Sequence, residues 1–143
     1  MANILLMEDD AVFALKLREI LESEGHDIHW CRSGSEAIAA LDQLDFDLVL
    51  TDIYVRRDGQ VVDDGGISLI GKIVVRRLSV QGKKPPHLPI IAMSGAIARS
   101  SNPYVLQTAE GVGADYVLAK PFDGPDLMAV VEQALGLGKG QGQ

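Results

Sequence analysis

Three carboxylates follow one another at Glu8, Asp9 and Asp10, and a fourth, Asp52, stands alone; both sets come at the end of short apolar runs, ILLM and LVLT. Two further runs, PIIAM and YVLA, lead into Ser94 and Lys120. If these runs are parallel strands, their ends meet on one edge and gather several carboxylates, a hydroxyl and an ammonium. Carboxylates held that close repel one another, so either their pKa values rise or a hard divalent cation neutralises them. Oxygen ligands with no His or Cys beside them favour Mg2+ over Zn2+. A carboxylate between such a cation and a lysine is suited to accept a phosphoryl group, because both positive charges offset the charge building on its equatorial oxygens.

The elements that must position these groups are readable in outline. Asn3 to Met7 is apolar at successive positions, as suits a strand buried on both faces. Val12, Phe13, Leu17, Ile20 and Leu21 recur at helical spacing from Ala11 to about Ser23, with Gly25 as a stop. Asp10 before this helix is open to two roles, a third ligand or an N-cap, and the N-cap is the favoured one. Ile28 to Cys31 is a second strand, in which Trp30 and Cys31 are expected to pack. Ser33 and Glu36 have the spacing of a capping box that opens a second helix, and Phe46 to Thr51 is the third strand. Tyr54 to Gly66, rich in Gly and Asp, reads as a loop. A helix from Ile67 to about Leu78 follows, ended by Gly82, Pro85, Pro86 and Pro89. Ile90 to Met93 is the fourth strand, residues 102–110 a helix, Tyr116 to Ala119 the fifth strand, and Asp123 to Leu135 the last helix, with Asp123 as cap and Pro125 in the first turn. Five strands alternating with five helices predict a doubly wound α/β domain, whose ligands bind beyond the carboxyl ends of the strands.

With 143 residues the chain is the size of one domain, and 47% apolar against 23% charged residues exclude intrinsic disorder. Cys31, the single cysteine, has no intrachain disulfide partner. No signal peptide opens the sequence and no apolar run reaches membrane-spanning length, so a cytoplasmic protein without membrane insertion is expected. A net charge of -7 argues against nucleic-acid binding through a broadly basic surface. The charge is uneven: Arg56, Arg57, Lys72, Arg76, Arg77, Lys83 and Lys84 face only Asp58, Asp63 and Asp64 within residues 56–84. This basic segment is a candidate docking surface, although a solvated face is the commoner reason for clustered cations. His26, His29 and His87 are scattered and carry no assigned role.

Taken in order, ILLMEDD, DLVLTD, PIIAMSGA and GADYVLAKPF resemble the receiver domain of two-component response regulators, over nearly the whole chain. The resemblance implies a flavodoxin-like five-stranded parallel sheet of order 2-1-3-4-5 with helices on both faces, spanning residues 1–136, and a flexible Gly-rich tail over 137–143. It implies that Asp52 is the phosphoacceptor, supplied by a histidine kinase or a histidine phosphotransfer protein. Asp9 resembles the direct Mg2+ ligand, Glu8 the holder of metal-bound waters, and Tyr54 the donor of a backbone carbonyl to the metal. Ser94 matches the hydroxyl that binds the phosphoryl oxygen, and Lys120 the lysine that pairs with the acceptor carboxylate.

Two positions depart from the family pattern. Gly66 is the best match to the glycine that opens the third helix, which implies an insertion of about six residues after Asp52, of a kind surface loops tolerate. Gly59 is a competing match, but the helix would then have to begin in VVDDGG. The position of the usual switching aromatic, three residues before the lysine, is Val117, and Tyr116 beside it falls on the opposite face of a strand. No output domain follows the last helix, so a stand-alone regulator acting by docking on a downstream protein, or by passing the phosphoryl group on, is expected. Two other classes compete. A pseudo-receiver that signals without phosphorylation is expected to lack an acid, the acceptor or the lysine. A phosphatase or flavin protein on a similar fold calls for Asp-x-Asp at the acceptor or a phosphate loop after the first strand.

Overall fold

In the computed structural model, five strands run parallel in one sheet: β1 (Asn3–Met7), β2 (Asp27–Cys31), β3 (Leu48–Asp52), β6 (Ile90–Ser94) and β7 (Tyr116–Ala119). The structure describes residues 2–53, 55–57, 60–62, 66–78, 88–94, 113–120 and 122–140. Their spatial order is β2-β1-β3-β6-β7, which is the expected 2-1-3-4-5 once the sheet strands are counted along the chain. The order reverses at β1, so the crevice between β1 and β3 is the topological switch point.

The apolar runs form strands because both sheet faces are covered. Leu5, Met7, Val49, Ile90 and Ala92 point to one side and pack with Ala37 and Ala40 of α2 (Gly34–Gln43) and Leu69, Ile70 and Ile73 of α3 (Gly66–Leu78). Their neighbours Ile4, Leu6, Leu48, Leu50, Ile91 and Met93 point to the other. They pack with Ala14, Leu17 and Leu21 of α1 (Ala11–Ser23) and Leu127, Val131 and Ala134 of α4 (Gly124–Gly140). Each fully buried Leu or Ile contributes roughly 1.5–3 kcal/mol, so these two layers supply the stability that a charged site at the sheet edge draws on. Period two also separates Val117, which packs on the α2/α3 side, from Tyr116, which packs on the α1/α4 side.

Helix starts follow the side chains expected to cap them. Asp10 Oδ1 accepts the N–H groups of Val12 at 3.0 Å and Phe13 at 3.3 Å, so Asp10 serves as the N-cap of α1. Ser33 Oγ accepts from Glu36 N at 3.2 Å, while the Glu36 carboxylate reaches back to Arg32 N at 3.0 Å. Asp123 Oδ1 accepts from Asp126 N at 2.8 Å at the start of α4. Gly25, with φ of +89°, takes the left-handed turn after α1 that a side chain would resist.

Two boundaries differ from the sequence expectation. The loop read over Tyr54 to Gly66 contains an antiparallel hairpin, β4 (Val55–Arg57) with β5 (Gln60–Val62), in which Val55 pairs with Val62 and Arg57 with Gln60. In the sequence, Asp-Gly separates the two strands, a residue pair whose type favours tight hairpin turns. The hairpin occupies the VV stretch, so α3 opens at Gly66 and the competing match at Gly59 is excluded. The last helix runs on to Gly140, past Leu135 and into the expected tail. Glycine weakens a helix by about 1 kcal/mol but keeps its N–H, so Gly136 and Gly138 do not end the hydrogen-bond ladder as proline would. The helix expected over residues 102–110 lies outside the described residues.

Candidate functional site at the carboxyl edge of the sheet

The parallel register fixes which residues share the edge. Met7 pairs with Thr51, Thr51 with Ala92, and Ser94 with Ala119, so Glu8, Asp52, Ser94 and Lys120 all come at the same end of the sheet. Glu8 extends the β1–β2 ladder by donating its N–H to Cys31 O at 3.0 Å, and its carbonyl accepts the indole N–H of Trp30 at 2.8 Å. With Asp10 engaged in the cap, the three-residue acidic turn is pinned on both sides of Asp9. Asp52 ends β3, and its Oδ1 accepts from Ile53 N at 2.9 Å, an N–H shared with Met93 O at 3.0 Å.

One carboxylate oxygen from each of Glu8, Asp9 and Asp52 lies within 4.8 Å of the others. The Lys120 ammonium sits beside them. Its Nζ is 3.1 Å from both oxygens of Glu8 and 3.6 Å from Asp52 Oδ2. Lys120 pairs with Asp52 as expected, at ion-pair distance, and its two hydrogen bonds go to Glu8. The Glu8 side chain is only 1% exposed and the Asp52 side chain 13%, so Glu8 is the carboxylate that most needs a compensating charge. The ammonium also lies over the Phe13 ring, 4.4 Å from its centroid.

Burial dominates the electrostatics. It pushes Glu8 up to about 7, aided by the charge of Asp52 and opposed by Lys120. Asp52 is likewise pushed up to about 6, mainly by burial and further by Asp9, against the pull of Lys120 and the Ile53 N–H. Among the described residues, the Lys120 ammonium lies beside Glu8 and Asp52 in this cluster of three carboxylates, a site that a cation would help to neutralise. An all-oxygen donor set of this size suits a hard divalent ion that retains part of its hydration shell.

Glu8, Asp9, Asp52 and Lys120 are therefore brought together as expected. Ser94 ends β6 with its backbone paired to Ala119, and its side chain lies outside the described residues, as does the whole of Tyr54. Of the basic segment, Lys72 is exposed on α3; Lys83, Lys84 and the side chains of Arg56, Arg57, Arg76 and Arg77 lie outside the described residues. The sequence reading missed two participants, Trp30 and Phe13. Both fit apolar patterns, and only the indole N–H of Trp30 gave a sign that it would need a polar partner. His26 and His29, left without a role, take up structural contacts: His26 Nδ1 accepts from Ala2 N at 3.1 Å, and His29 meets Phe46 edge to face. Among the described residues no helix is long and apolar enough to cross a membrane.

A parallel sheet of this order, with an acidic triad and a lysine at its switch-point edge, defines a doubly wound α/β domain with a charged site at the carboxyl ends of its strands. The response regulator receiver domain family matches residues 4–132, and the chain belongs to that family. It is 27% identical over 141 residues to the cell cycle transcriptional regulator CtrA of Caulobacter vibrioides, covering 99% of this chain and 53% of that protein. It is 26% identical over 131 residues to the aerobic respiration control sensor protein ArcB of Escherichia coli K12, covering 92% of this chain and 15% of that one. The chain thus spans about half or less of these relatives. Among solved structures it is similar to a CheY-like response regulator receiver domain protein from Methanospirillum hungatei JF-1, with TM-score 0.77, 23% identity and coverage of 99% and 98% of the two chains. NtrX from Brucella abortus, in complex with ADP, superposes with TM-score 0.80 at 26% identity, over 98% of this chain and 28% of that one. Receiver domains are signalling modules of two-component systems, and this chain is one of them.

Proposed function

We propose that Asp52 is the phosphoacceptor of a phosphorelay, receiving its phosphoryl group from a histidine kinase or histidine phosphotransfer protein. The observation that carries this reading is the placement of Asp52, which lies within the acidic triad on one side and 3.6 Å from the Lys120 ammonium on the other. A carboxylate oxygen of Asp52 forms the new P–O bond as the P–N bond to the donor imidazole breaks; the imidazole leaves with that electron pair and takes a proton from solvent. Lys120 offsets negative charge on the transferring group and, being only 19% exposed, does so where water screens little. Glu8, Asp9, Asp52 and the Tyr54 backbone carbonyl would hold Mg2+, which when bound supplies charge neutralisation at the phosphoryl oxygens. Ser94 would hydrogen-bond the phosphoryl group after transfer.

The output follows from a change of surface, so the phosphorylated form differs from the unphosphorylated one in its docking to a downstream protein. On the input side, α1 presents Val12 at 76% exposure and Leu15 at 55%, an apolar surface next to the site for a cytoplasmic donor protein. A module that signals by contact alone has no need of both acceptor and lysine, and both stand here in contact geometry. The test is incubation of the chain with a small acyl phosphate, with and without Mg2+, followed by mass mapping of the adduct. Label on Asp52 that requires Mg2+ is the expected result; label confined to another residue, or none while Mg2+ binds, overturns the reading.

A further inference from the structure

Among the described residues, Lys120 has three partners: Glu8, with both oxygens at 3.1 Å, Asp52 Oδ2 at 3.6 Å, and the face of Phe13 at 4.4 Å from the ring centroid. Two of the three are carboxylates, which are the groups that a cation or a phosphoryl group at this site would engage. The ring is the partner that neither can draw away. It is itself held, because Phe122, two residues beyond Lys120, meets Phe13 edge to face at 5.6 Å and 73°. Phe13 follows the N-cap Asp10 and donates its backbone N–H to it, so the ring is anchored to the same turn that carries Glu8 and Asp9.

Resting on the phosphoacceptor reading above, we propose that Phe13 is a positioning residue for Lys120, holding the ammonium beside Asp52 by a cation–π contact while its carboxylate partners are engaged elsewhere. A lysine stem has four rotatable bonds, and an ammonium released by Glu8 would otherwise swing to solvent. A partly desolvated ring face attracts it strongly enough to keep the productive rotamer populated. Leucine at position 13 would fill much of the same space against Leu17 and the sheet but has no negative ring face. Packing and cation–π roles are therefore separable by substitution.

The experiment compares Phe13→Leu, Phe13→Met and Phe13→Tyr with the parent chain. One readout is independent of phosphorylation: the Lys120 ε-methylene proton resonances, shifted upfield by the ring in the parent and in Phe13→Tyr and returned toward ordinary lysine values in Phe13→Leu and Phe13→Met. The second is the rate of Asp52 labelling by a small acyl phosphate at saturating Mg2+. It should fall roughly tenfold in the two aliphatic variants and recover to within about twofold in Phe13→Tyr. If Phe13→Leu does not fold, the Met variant carries the comparison, since its flexible side chain fills core gaps. Equal rates in all four chains, or Phe13→Tyr as slow as Phe13→Leu, overturn the role of Phe13. A parent chain that shows the ring-shifted lysine but takes no label with Mg2+ overturns the phosphoacceptor reading instead and leaves the contact itself standing.

Discussion

Replacing the acceptor should make the protein more stable, and the gain should depend on pH in a defined way. Asp52 ionises at about 6 in the folded chain against 3.8 for a free side chain. A folded-state pKa raised above the unfolded value means that the stability associated with the neutral carboxyl is fully present below about 3.8 and is lost as pH rises through about 6. Two pKa units at 1.36 kcal/mol each correspond to about 3 kcal/mol lost by pH 8, but only about 0.5 kcal/mol at pH 4. Asn at position 52 keeps an oxygen for the Ile53 N–H and discards the charge, and Lys120 retains both oxygens of Glu8. Asp52→Asn is therefore expected to exceed the parent by about 2–3 kcal/mol at pH 8, roughly 6–12 °C in Tm, and by little at pH 4.

Urea unfolding followed by Trp30 emission, in metal-free buffer at the two pH values, measures this directly. Glu8, pushed up to about 7 from 4.5, loses stability over the neighbouring window between those values, and it is coupled to Asp52, so the double variant should gain less than the sum of the single ones. Mg2+ should narrow the gap at pH 8, because it binds the folded parent more tightly than the variant. Equal midpoints for parent and variant at pH 8, or a gain of the same size at both pH values, would refute the argument that burial and like charge destabilise the site.

Two further outcomes are expected. Gly113 has φ of +131°, and a Cβ placed there would collide with Val74 of α3, so Gly113→Ala should cost about 2–4 kcal/mol in urea unfolding, whereas Gly136→Ala, with open space around it, should be neutral or stabilising. Trp30, the chain's single tryptophan, donates its N–H to the Glu8 carbonyl, so its emission should change saturably on Mg2+ addition and should do so at higher Mg2+ in Asp9→Asn; calorimetric binding with unchanged emission would show that the acidic turn does not move.

Much of the architecture was legible because strands buried on both faces are written as continuous apolar runs, and ILLM, LVL and IIAM leave few alternatives. The caps were legible for a different reason: Asp10, Ser33 and Asp123 carry the short oxygen side chains that helix N-termini require. The hairpin was not, since its two three-residue strands are diluted among Gly and Asp, and only the Asp58–Gly59 pair marks it. The site was legible as a set of residues but not as a set of bonds. Whether Lys120 turns to Glu8 or to Asp52 depends on which carboxylate lies deeper, and Phe13 differs from the other apolar positions of α1 only in what its ring touches.

One cause links the legible and the illegible parts. β1 and β3 are uninterrupted apolar runs covered on both faces, and the carboxylates at their ends, Glu8 just beyond β1 and Asp52 as the last residue of β3, are themselves largely removed from water. Desolvation then raises both carboxylates and sets the Lys120 ammonium closest to Glu8, the deeper of the two. A surface triad of identical composition would be screened and would keep ordinary acidities. The capacity of this edge to take a cation and a phosphoryl group thus comes less from the acids themselves than from how completely the sheet ends beneath them are covered.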